Sequence, residues 1–245
     1  LPAFHAIVAT GAATTPVNPA YVPAEIARQL RATGARFVIT SEALLPRVAD
    51  AAASVGLPPD HIIVVPGSPD GAASGPHNPW SAPIGTQPDL RRPQIDPATH
   101  VACLPFSSGT AGLPKAVRLS HRNLVANLLQ FNEIFLPLGE DNSFIAFLPY
   151  SHIYAMTTNL NYGLFRRFPQ YAMGAFQPEL FLKTVATMRP TMLFIVPPVA
   201  AFLARHPAVL TVPWDSVRMA VSGAAPLDGP VGDALHARLG CRVVQ

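Results

Sequence analysis

The chain has 245 residues, of which 49% are hydrophobic and only 13% are charged, and its formal net charge is +3. This length suffices for one large α/β unit or for two small domains, and the charged share is about half of the ~25% that is usual in soluble domains. No basic run exceeds the pairs Arg91-Arg92 and Arg166-Arg167, and no basic stripe alternates with aromatic residues, so extended binding of nucleic acid is excluded.

The cysteines and the apolar segments indicate the cellular compartment in which the protein resides. Cys103 and Cys241 each lie in an apolar, strand-like run, where a buried thiol is more common than a disulfide or a metal ligand. The longest apolar stretch, Met192 to Ala204, is interrupted by prolines and is too short to span a bilayer. The N-terminal residues, which begin with Leu1, carry no basic segment typical of a signal peptide, and we interpret this end as a cut end. We therefore expect a cytoplasmic protein without a membrane span.

The first residues alternate between helical and extended patterns. A helix from about Ala24 is expected to end at Gly34, and a buried strand at Phe37–Thr40 should follow it. The same order repeats with a helix around Glu42–Ser54 and a strand at Ile62–Val65. Successive helix-then-strand units predict a parallel sheet.

A change of composition divides the chain near its middle. Residues 66–99 are rich in Pro, Gly, Ser, Ala and Asn, which predicts a long irregular connection rather than a linker between domains. A strand in VACLPF, a turn and a helix from about Arg122 to Glu133 are expected next, with Leu124, Leu128 and Leu129 facing inward. A strand, a loop and a helix in this order are typical of phosphate-binding sites.

The alternation continues to the last residue. The expected elements are, in order, a strand in SFIAFLPY, a mostly helical segment 152–166, a short strand in YAMGAF, a helix from Pro178, a strand in MLFIVP, a helix through Leu203, a strand in VRMAVS, a helix from Asp228 and a strand in CRVVQ. No repeat of fixed period is present, which argues against solenoids and propellers. The fold class is therefore predicted to be α/β, with mostly parallel sheets flanked by helices.

The segment FSSGTAGLPKAVRLSH, residues 106–121, has the residue types that bind phosphate. Glycines let backbone amides converge on an anion, and hydroxyls and a lysine complete the coordination of phosphate oxygens. The side chains of these kinds are Ser107, Ser108, Thr110 and Lys115. Gly109 and Gly112 are too close together, and Ala116 replaces the hydroxyl residue, for a Walker A loop. By composition alone, a surface turn rich in small residues is an equally good interpretation.

Two other catalytic classes are disfavoured. Ser222 lies in MAVSGA, which has alanine at both glycine positions of the G-x-S-x-G motif of serine hydrolases. The histidines do not pair with cysteines or carboxylates at the spacing of zinc ligands. No metal-binding residues are therefore predicted.

The whole segment resembles the phosphate-loop signature of the acyl-adenylate-forming superfamily, which includes acyl-CoA synthetases, firefly luciferase and the adenylation domains of peptide synthetases. The family pattern is approximately [ST]-S-G-T-T-G-x-P-K-G-V, then a hydrophobic residue, a variable residue and [ST]-H. SSGTAGLPKAVRLSH departs from it at Ala111 and Ala116. Three further segments resemble family motifs in the proper order: PVNPAYVPAEIARQLRATGARFVIT, LPYSHIYAM and VSGAAPL. HIYAM and GAAPL together are most similar to the 4-coumarate–CoA ligase branch.

The resemblance implies a reaction and its site. A carboxylate would attack the α-phosphate of ATP to give an acyl-adenylate and pyrophosphate, and a thiol would then displace AMP. The implied cofactors are ATP, Mg²⁺ and CoA, the substrate is a small carboxylic acid, and the implied catalytic residues are Lys115 and His152. The residues implied to bind the nucleotide are Ser107, Ser108, Gly109, Thr110, Ala111, Gly112, Lys115, Gly223, Ala224, Ala225, Pro226 and Gln245. Those implied to bind the acid are His152, Tyr154, Thr158 and Ala224.

The resemblance also implies a larger enzyme. The family motif GYG-[ML]-T-E is expected directly after Gln245, and a small C-terminal domain with a catalytic lysine after that. We therefore interpret residues 1–245 as a partial N-terminal AMP-binding domain and expect the isolated chain to be inactive. Two alternatives stay open: an adenylation domain that loads a carrier protein, and a non-catalytic module that binds nucleotide. The identity of the acid and the oligomeric state do not follow from these residues.

Overall fold

The computed structural model describes residues 2–66, 77–79, 93–107, 112–135 and 141–245. The chain divides into two compact units, Leu1–Arg122 (unit 1) and Asn123–Gln245 (unit 2). Both units combine helices with strands, as the α/β prediction requires. Within the described ranges, every helix is too short or too polar to cross a bilayer.

The first part of unit 1 is a small parallel sheet with its helices. The helices are α1 (Pro2–Ala9), α2 (Pro23–Thr33) and α3 (Leu45–Ser54). The strands are β1 (Val38–Ser41), β2 (Ile62–Val65) and β3 (Asn78–Pro79), which pair in parallel in the order β1-β2-β3. Short 3-10 turns at Glu42–Leu44 and Pro59–His61 lead into α3 and β2.

Helix α2 confirms the signals that predicted it. The Glu25 carboxylate accepts a hydrogen bond from the Val22 backbone N–H at 2.9 Å, which satisfies a donor at the helix start. Gly34 ends the helix with a φ of 61°, a conformation that favours glycine. Ile26 and Leu30 are buried and belong to one apolar cluster with residues of α3 and β2. The predicted helix and its end at Gly34 are therefore correct.

Three expectations for this part of the chain were incomplete. The strand begins at Val38 rather than Phe37, since the pairing with β2 starts at Val38 opposite Ile62, and the Phe37 side chain is 56% exposed and stacks on His61 with ring centroids 4.5 Å apart. The connection 66–99 contains the short strand β3, and most of the remainder lies outside the described residues. Helix α1 was not predicted, and none of its residues is buried.

The second part of unit 1 is antiparallel. Strand β4 (Val101–Cys103) pairs with β7 (Leu119–Ser120), and β5 (Phe106–Ser107) pairs with β6 (Lys115–Ala116). These pairs are antiparallel because the chain reverses direction between β5 and β6, and they are the exception within the mostly parallel sheets that were predicted. The phosphate-loop segment is therefore a hairpin with two successive ladders at its base.

Unit 2 contains a parallel sheet of the predicted kind. Its strands are β8 (Phe144–Ala146), β9 (Gln170–Ala172), β10 (Met192–Ile195), β11 (Met219–Ser222) and β12 (Arg242–Val244). They lie in the order β12-β11-β10-β8-β9, and all of these pairs are parallel. The helices are α4 (His121–Phe135), which begins in the last residues of unit 1, α5 (Ile153–Ala155), α6 (Gly163–Phe165), α7 (Pro178–Met188), α8 (Pro197–Arg205) and α9 (Gly229–Leu239).

Both faces of this sheet are covered, which explains why its inner strands β8 and β10 are apolar at every position. On one face, alternate residues such as Leu193 and Ala220 pack in a cluster with buried residues of α7, α8 and α9. On the other face, Phe194 and Val221 pack in a second cluster, against which α4 also packs. Leu129 of α4 is 53% exposed, so its predicted inward position is wrong.

The segment predicted as helix at 152–166 is confirmed but irregular. It consists of α5, a π-helical stretch at Met156–Tyr162 and α6. Thr158 and Asn159 are completely buried in this stretch although both are polar. Short π-helical insertions in α-helices are often found at functional sites.

Candidate functional site

The hairpin β5–β6 brings a hydroxyl and a cation to the same place. Ser107 and Lys115 are direct partners in the antiparallel ladder. Side chains of directly opposed residues lie on the same face of such a pair, with Cβ atoms about 5 Å apart. The two predicted phosphate ligands at the ends of the loop are therefore neighbours.

The loop that this hairpin carries is open to solvent where it is described. Lys115 is exposed, and the described part of the chain offers its ammonium group no hydrogen bond or ion pair. Gly112 has a φ of 119°, a backbone conformation that residues other than glycine rarely adopt. The predicted ligands Ser108, Gly109, Thr110 and Ala111 lie outside the described residues. A cation whose ammonium group has no partner among the described residues, beside a hydroxyl and a glycine turn, fits the binding of a phosphate chain.

The segment upstream of the loop anchors its first strand. The Thr14 backbone N–H donates to Ala102 O at 3.0 Å, and Leu104 N–H donates to Thr14 O at 2.8 Å. The buried Gln29 amide donates to the Thr15 hydroxyl at 2.7 Å and to a neighbouring carbonyl at 2.9 Å. Because these bonds fix residues 14–16 on the strand that precedes β5, the upstream motif holds the base of the loop.

In unit 2, Tyr154 lies against the turn that follows β11. Its hydroxyl donates to Val221 O at 2.8 Å. A Cβ atom added to Gly223 would lie 2.8 Å from Tyr154 Cζ, so the ring rests directly on the glycine backbone. Burial raises the pKa of the Tyr154 phenol, which keeps it protonated as a donor. The HIYAM and GAAPL motifs, 69 positions apart at Tyr154 and Gly223, are thus in contact.

The neighbours of Tyr154 are fixed by local hydrogen bonds. His152 Nδ1 accepts the Tyr154 backbone N–H at 3.2 Å and so caps the start of α5. The Thr158 hydroxyl donates to Tyr154 O at 3.0 Å and lies 2.5 Å from Asn159 Oδ1. In this structure His152 and Thr158 therefore hold the backbone on either side of Tyr154.

The remaining predicted ligands of unit 2 lie at the carboxyl edge of its sheet. Ala224 has a φ of 72° in the left-handed region, which turns the chain sharply after β11. Ala225 and Pro226 follow it and are exposed. Gln245 directly follows β12, whose Val244 pairs with Val221 of β11. The carboxyl ends of parallel strands are where ligands bind in open α/β sheets.

The structure thus forms two groups from the predicted residues. Ser107 and Lys115 are neighbours in unit 1, and the second group, in unit 2, consists of His152, Tyr154, Thr158, Gly223 and Ala224. The sequence analysis did not single out Asn159, which is completely buried and lies 2.5 Å from the Thr158 hydroxyl through its Oδ1. Among the described residues, no group of three or more His, Cys, Asp or Glu side chains forms a metal site.

Comparison with known proteins identifies the family. The family described as "AMP-binding enzyme" matches residues 1–245. The chain is 34% identical to 4-coumarate–CoA ligase 5 of Oryza sativa subsp. japonica over 242 residues, which cover 97% of the chain and 43% of that protein. The chain therefore spans less than half of the length of this relative.

Solved structures show the same fold. A natural red-emitting luciferase from Phrixothrix hirtus superposes with a TM-score of 0.86 at 22% identity, over 98% of the chain and 46% of the luciferase. ATP-bound MatB from Rhodopseudomonas palustris superposes with a TM-score of 0.80 at 25% identity, over 98% of the chain and 45% of MatB. With the family match over its whole length, the chain belongs to the AMP-binding enzyme family and is similar to its acyl-CoA and 4-coumarate–CoA ligases.

Proposed function

We propose that the whole protein is an ATP-dependent acid–CoA ligase, to which this chain contributes part of the N-terminal domain. The observation that supports this most directly is the hairpin that places the exposed Lys115 opposite Ser107. The reaction would proceed by attack of a carboxylate oxygen on the α-phosphorus of ATP, with release of pyrophosphate. A CoA thiol would then attack the acyl carbon, and AMP would leave.

The first step concentrates negative charge on the phosphate chain, and the hairpin supplies what this step requires. Transfer of this kind depends on positioning and on stabilisation of charge. The Lys115 ammonium group would hold the β- and γ-phosphates and then the departing pyrophosphate, with the Ser107 hydroxyl as a second donor. Because the Lys115 ammonium group makes no hydrogen bond or ion pair within the described part of the chain, it is available for this contact.

The acid would lie beside Tyr154 in unit 2. The Tyr154 ring covers Gly223, and its hydroxyl is bound to Val221 O, so the ring offers a fixed apolar surface. The small residues of the GAAP turn leave the backbone accessible to a flat ring. His152 is proposed to act at the carboxylate side of the acid, at the carboxyl end of the strand that precedes it. These roles are carried over from the family motifs.

The described residues assign no ligands to Mg²⁺. Mg²⁺ in nucleotide sites is held mainly by phosphates and by one or two carboxylates, and such carboxylates are not recognised here. When bound, the ion would neutralise charge on the phosphate chain.

Replacing Lys115 by Ala in the full-length gene tests the proposal. We expect the rate of acid-dependent pyrophosphate release to fall by about 10² or more, the usual effect of removing a group that stabilises transition-state charge. Arg118→Ala is the matched control, since Arg118 is another exposed cation three residues further along. An unchanged rate in Lys115→Ala would remove Lys115 from the mechanism.

The same assay separates the alternatives. Acid-dependent pyrophosphate release together with consumption of CoA thiol supports the ligase. Pyrophosphate release without thiol consumption indicates an adenylation domain that serves another acceptor. Binding of ATP without pyrophosphate release for a broad set of aryl and alkyl acids indicates a non-catalytic module.

A further inference from the structure

Two histidines flank the ladder at the base of the phosphate-loop hairpin. His100 directly precedes β4, and His121 directly follows β7. The His121 backbone N–H donates to His100 O at 3.3 Å, and the two ring centroids are 5.6 Å apart. Because β4 and β7 lead directly into β5 and β6, this histidine pair closes the far end of the base of the loop.

The hydrogen bonds of the pair define where its protons are. His100 Nε2 lies 2.7 Å from Gly11 O, and since a carbonyl only accepts, Nε2 carries a hydrogen and donates it. His121 Nε2 is shielded from solvent and finds no hydrogen-bond partner among the described residues. A neutral His121 ring with its hydrogen on Nδ1 leaves only a lone pair at this buried atom. Protonation would instead bury an N–H group without an acceptor, which costs free energy.

The charged groups nearby do not compensate a positive charge on His121. Asp96 accepts hydrogen bonds from Ala98 N–H at 3.0 Å and from the Thr99 hydroxyl at 2.8 Å. These bonds and the neighbouring Arg122 lower the pKa of Asp96, so its carboxylate is already engaged. The segment that receives the His100 hydrogen bond, at Gly11, carries no charge of its own. Burial and His100 lower the pKa of His121.

We propose that His100 and His121 are positioning residues, which hold the base of the phosphate loop closed while His121 is uncharged and loosen it when His121 becomes charged. The consequence is a loss of nucleotide affinity on acidification. The expected effect on nucleotide affinity rests on the proposed function. The expected loosening of the loop base is independent of that function.

The direction of the pH effect follows from the lowered pKa. A histidine that binds its proton less readily in the folded protein contributes stability above its ordinary pKa of 6.5. That contribution is lost as the pH falls below 6.5 towards the folded value. One linked proton changes a binding constant by at most about tenfold per pH unit.

The test compares full-length wild type with His121→Phe, which keeps a flat ring and cannot titrate. His206→Asn is the control, because His206 is exposed, lies in unit 2 and accepts the Ala208 N–H at the start of a 3-10 turn, a hydrogen bond that Asn can also accept, although the stacking of His206 on Phe202 is lost. The dissociation constant of ATP is measured between pH 7.5 and 5.5. ATP itself titrates in this pH range, and this changes the affinity of all three proteins alike. Beyond that shared change, we expect wild type and His206→Asn to lose several-fold more affinity for ATP than His121→Phe. Equal pH dependence in all three would overturn the proposal.

Hydrogen exchange measures the loop base without any ligand. The Val117 N–H, which donates to Pro105 O at 2.8 Å, should lose protection as the pH falls from 7.5 to 5.5, relative to intrinsic exchange. The Gly223 N–H, which donates to Ile195 O in unit 2, is the internal control. Constant protection of Val117 in wild type overturns the proposal even if His121→Phe does not fold. Loss of protection without any ATP binding would support the histidine pair and contradict the proposed function.

Discussion

Replacing Gly223 with Ala should destabilise the protein, because the new methyl group would enter the Tyr154 ring. The added Cβ would lie 2.8 Å from Cζ and 2.9 Å from Cε2 of the ring, closer than real Cβ contacts. The ring cannot simply move away, since its hydroxyl is bound to Val221 O at 2.8 Å. Overpacking of this kind costs about 1–3 kcal/mol, and loss of the phenol hydrogen bond would add about 1 kcal/mol.

Urea denaturation of the full-length protein measures this cost. Gly174→Ala is the matched control, because a Cβ at Gly174 has open space around it and its φ is not positive. A double-mutant cycle with Tyr154→Phe should show coupling, since the freed ring can then shift away from the added methyl group in the double variant. The reasoning is refuted if Gly223→Ala changes the free energy of unfolding by less than about 0.5 kcal/mol, the usual effect of a surface change.

Two further predictions concern buried groups of unit 1 and unit 2. Gln29→Leu removes both hydrogen bonds to residues 15 and 16 and should lower the free energy of unfolding by about 1–3 kcal/mol in urea denaturation. The control Arg28→Gln, at an exposed neighbour, should leave the free energy of unfolding unchanged. Equal effects of the two substitutions would contradict the anchoring role of Gln29. Burial raises the pKa of the Cys103 thiol to about 12 and that of Cys241 to about 11, so both are protonated at pH 8. A disulfide reagent should therefore label them only after unfolding in denaturant, and fast labelling of native protein would contradict their burial.

Local sequence signals were sufficient for most of the elements. Helix α2 was correctly predicted because its apolar spacing and its terminal Gly34 act within a few residues. The parallel sheet of unit 2 was predicted from the regular alternation of helices and strands, and strands such as Met192–Ile195, which are apolar at every position, are consistent with its cover on both faces.

The features that could not be predicted depend on distant partners. Strands β5 and β6 have only two residues each and no alternation to detect, so the hairpin is defined by its pairing. Leu129 follows the apolar spacing of α4 but is exposed. The spacing shows which residues share a face of the helix, but it does not show how much of that face other elements cover. The motifs at Tyr154 and Gly223 were recognised by resemblance, whereas their direct contact is a result of the tertiary fold.

The central claim is that the hairpin loop binds the phosphates of ATP, and the dissociation constant of ATP for Lys115→Ala tests it most directly. A hydrogen bond from a charged donor contributes about 1.5–3 kcal/mol. We therefore predict that full-length Lys115→Ala binds ATP about 10- to 100-fold more weakly than wild type, while Arg118→Ala binds it as wild type does. Equal affinity for ATP in Lys115→Ala and wild type would contradict the account.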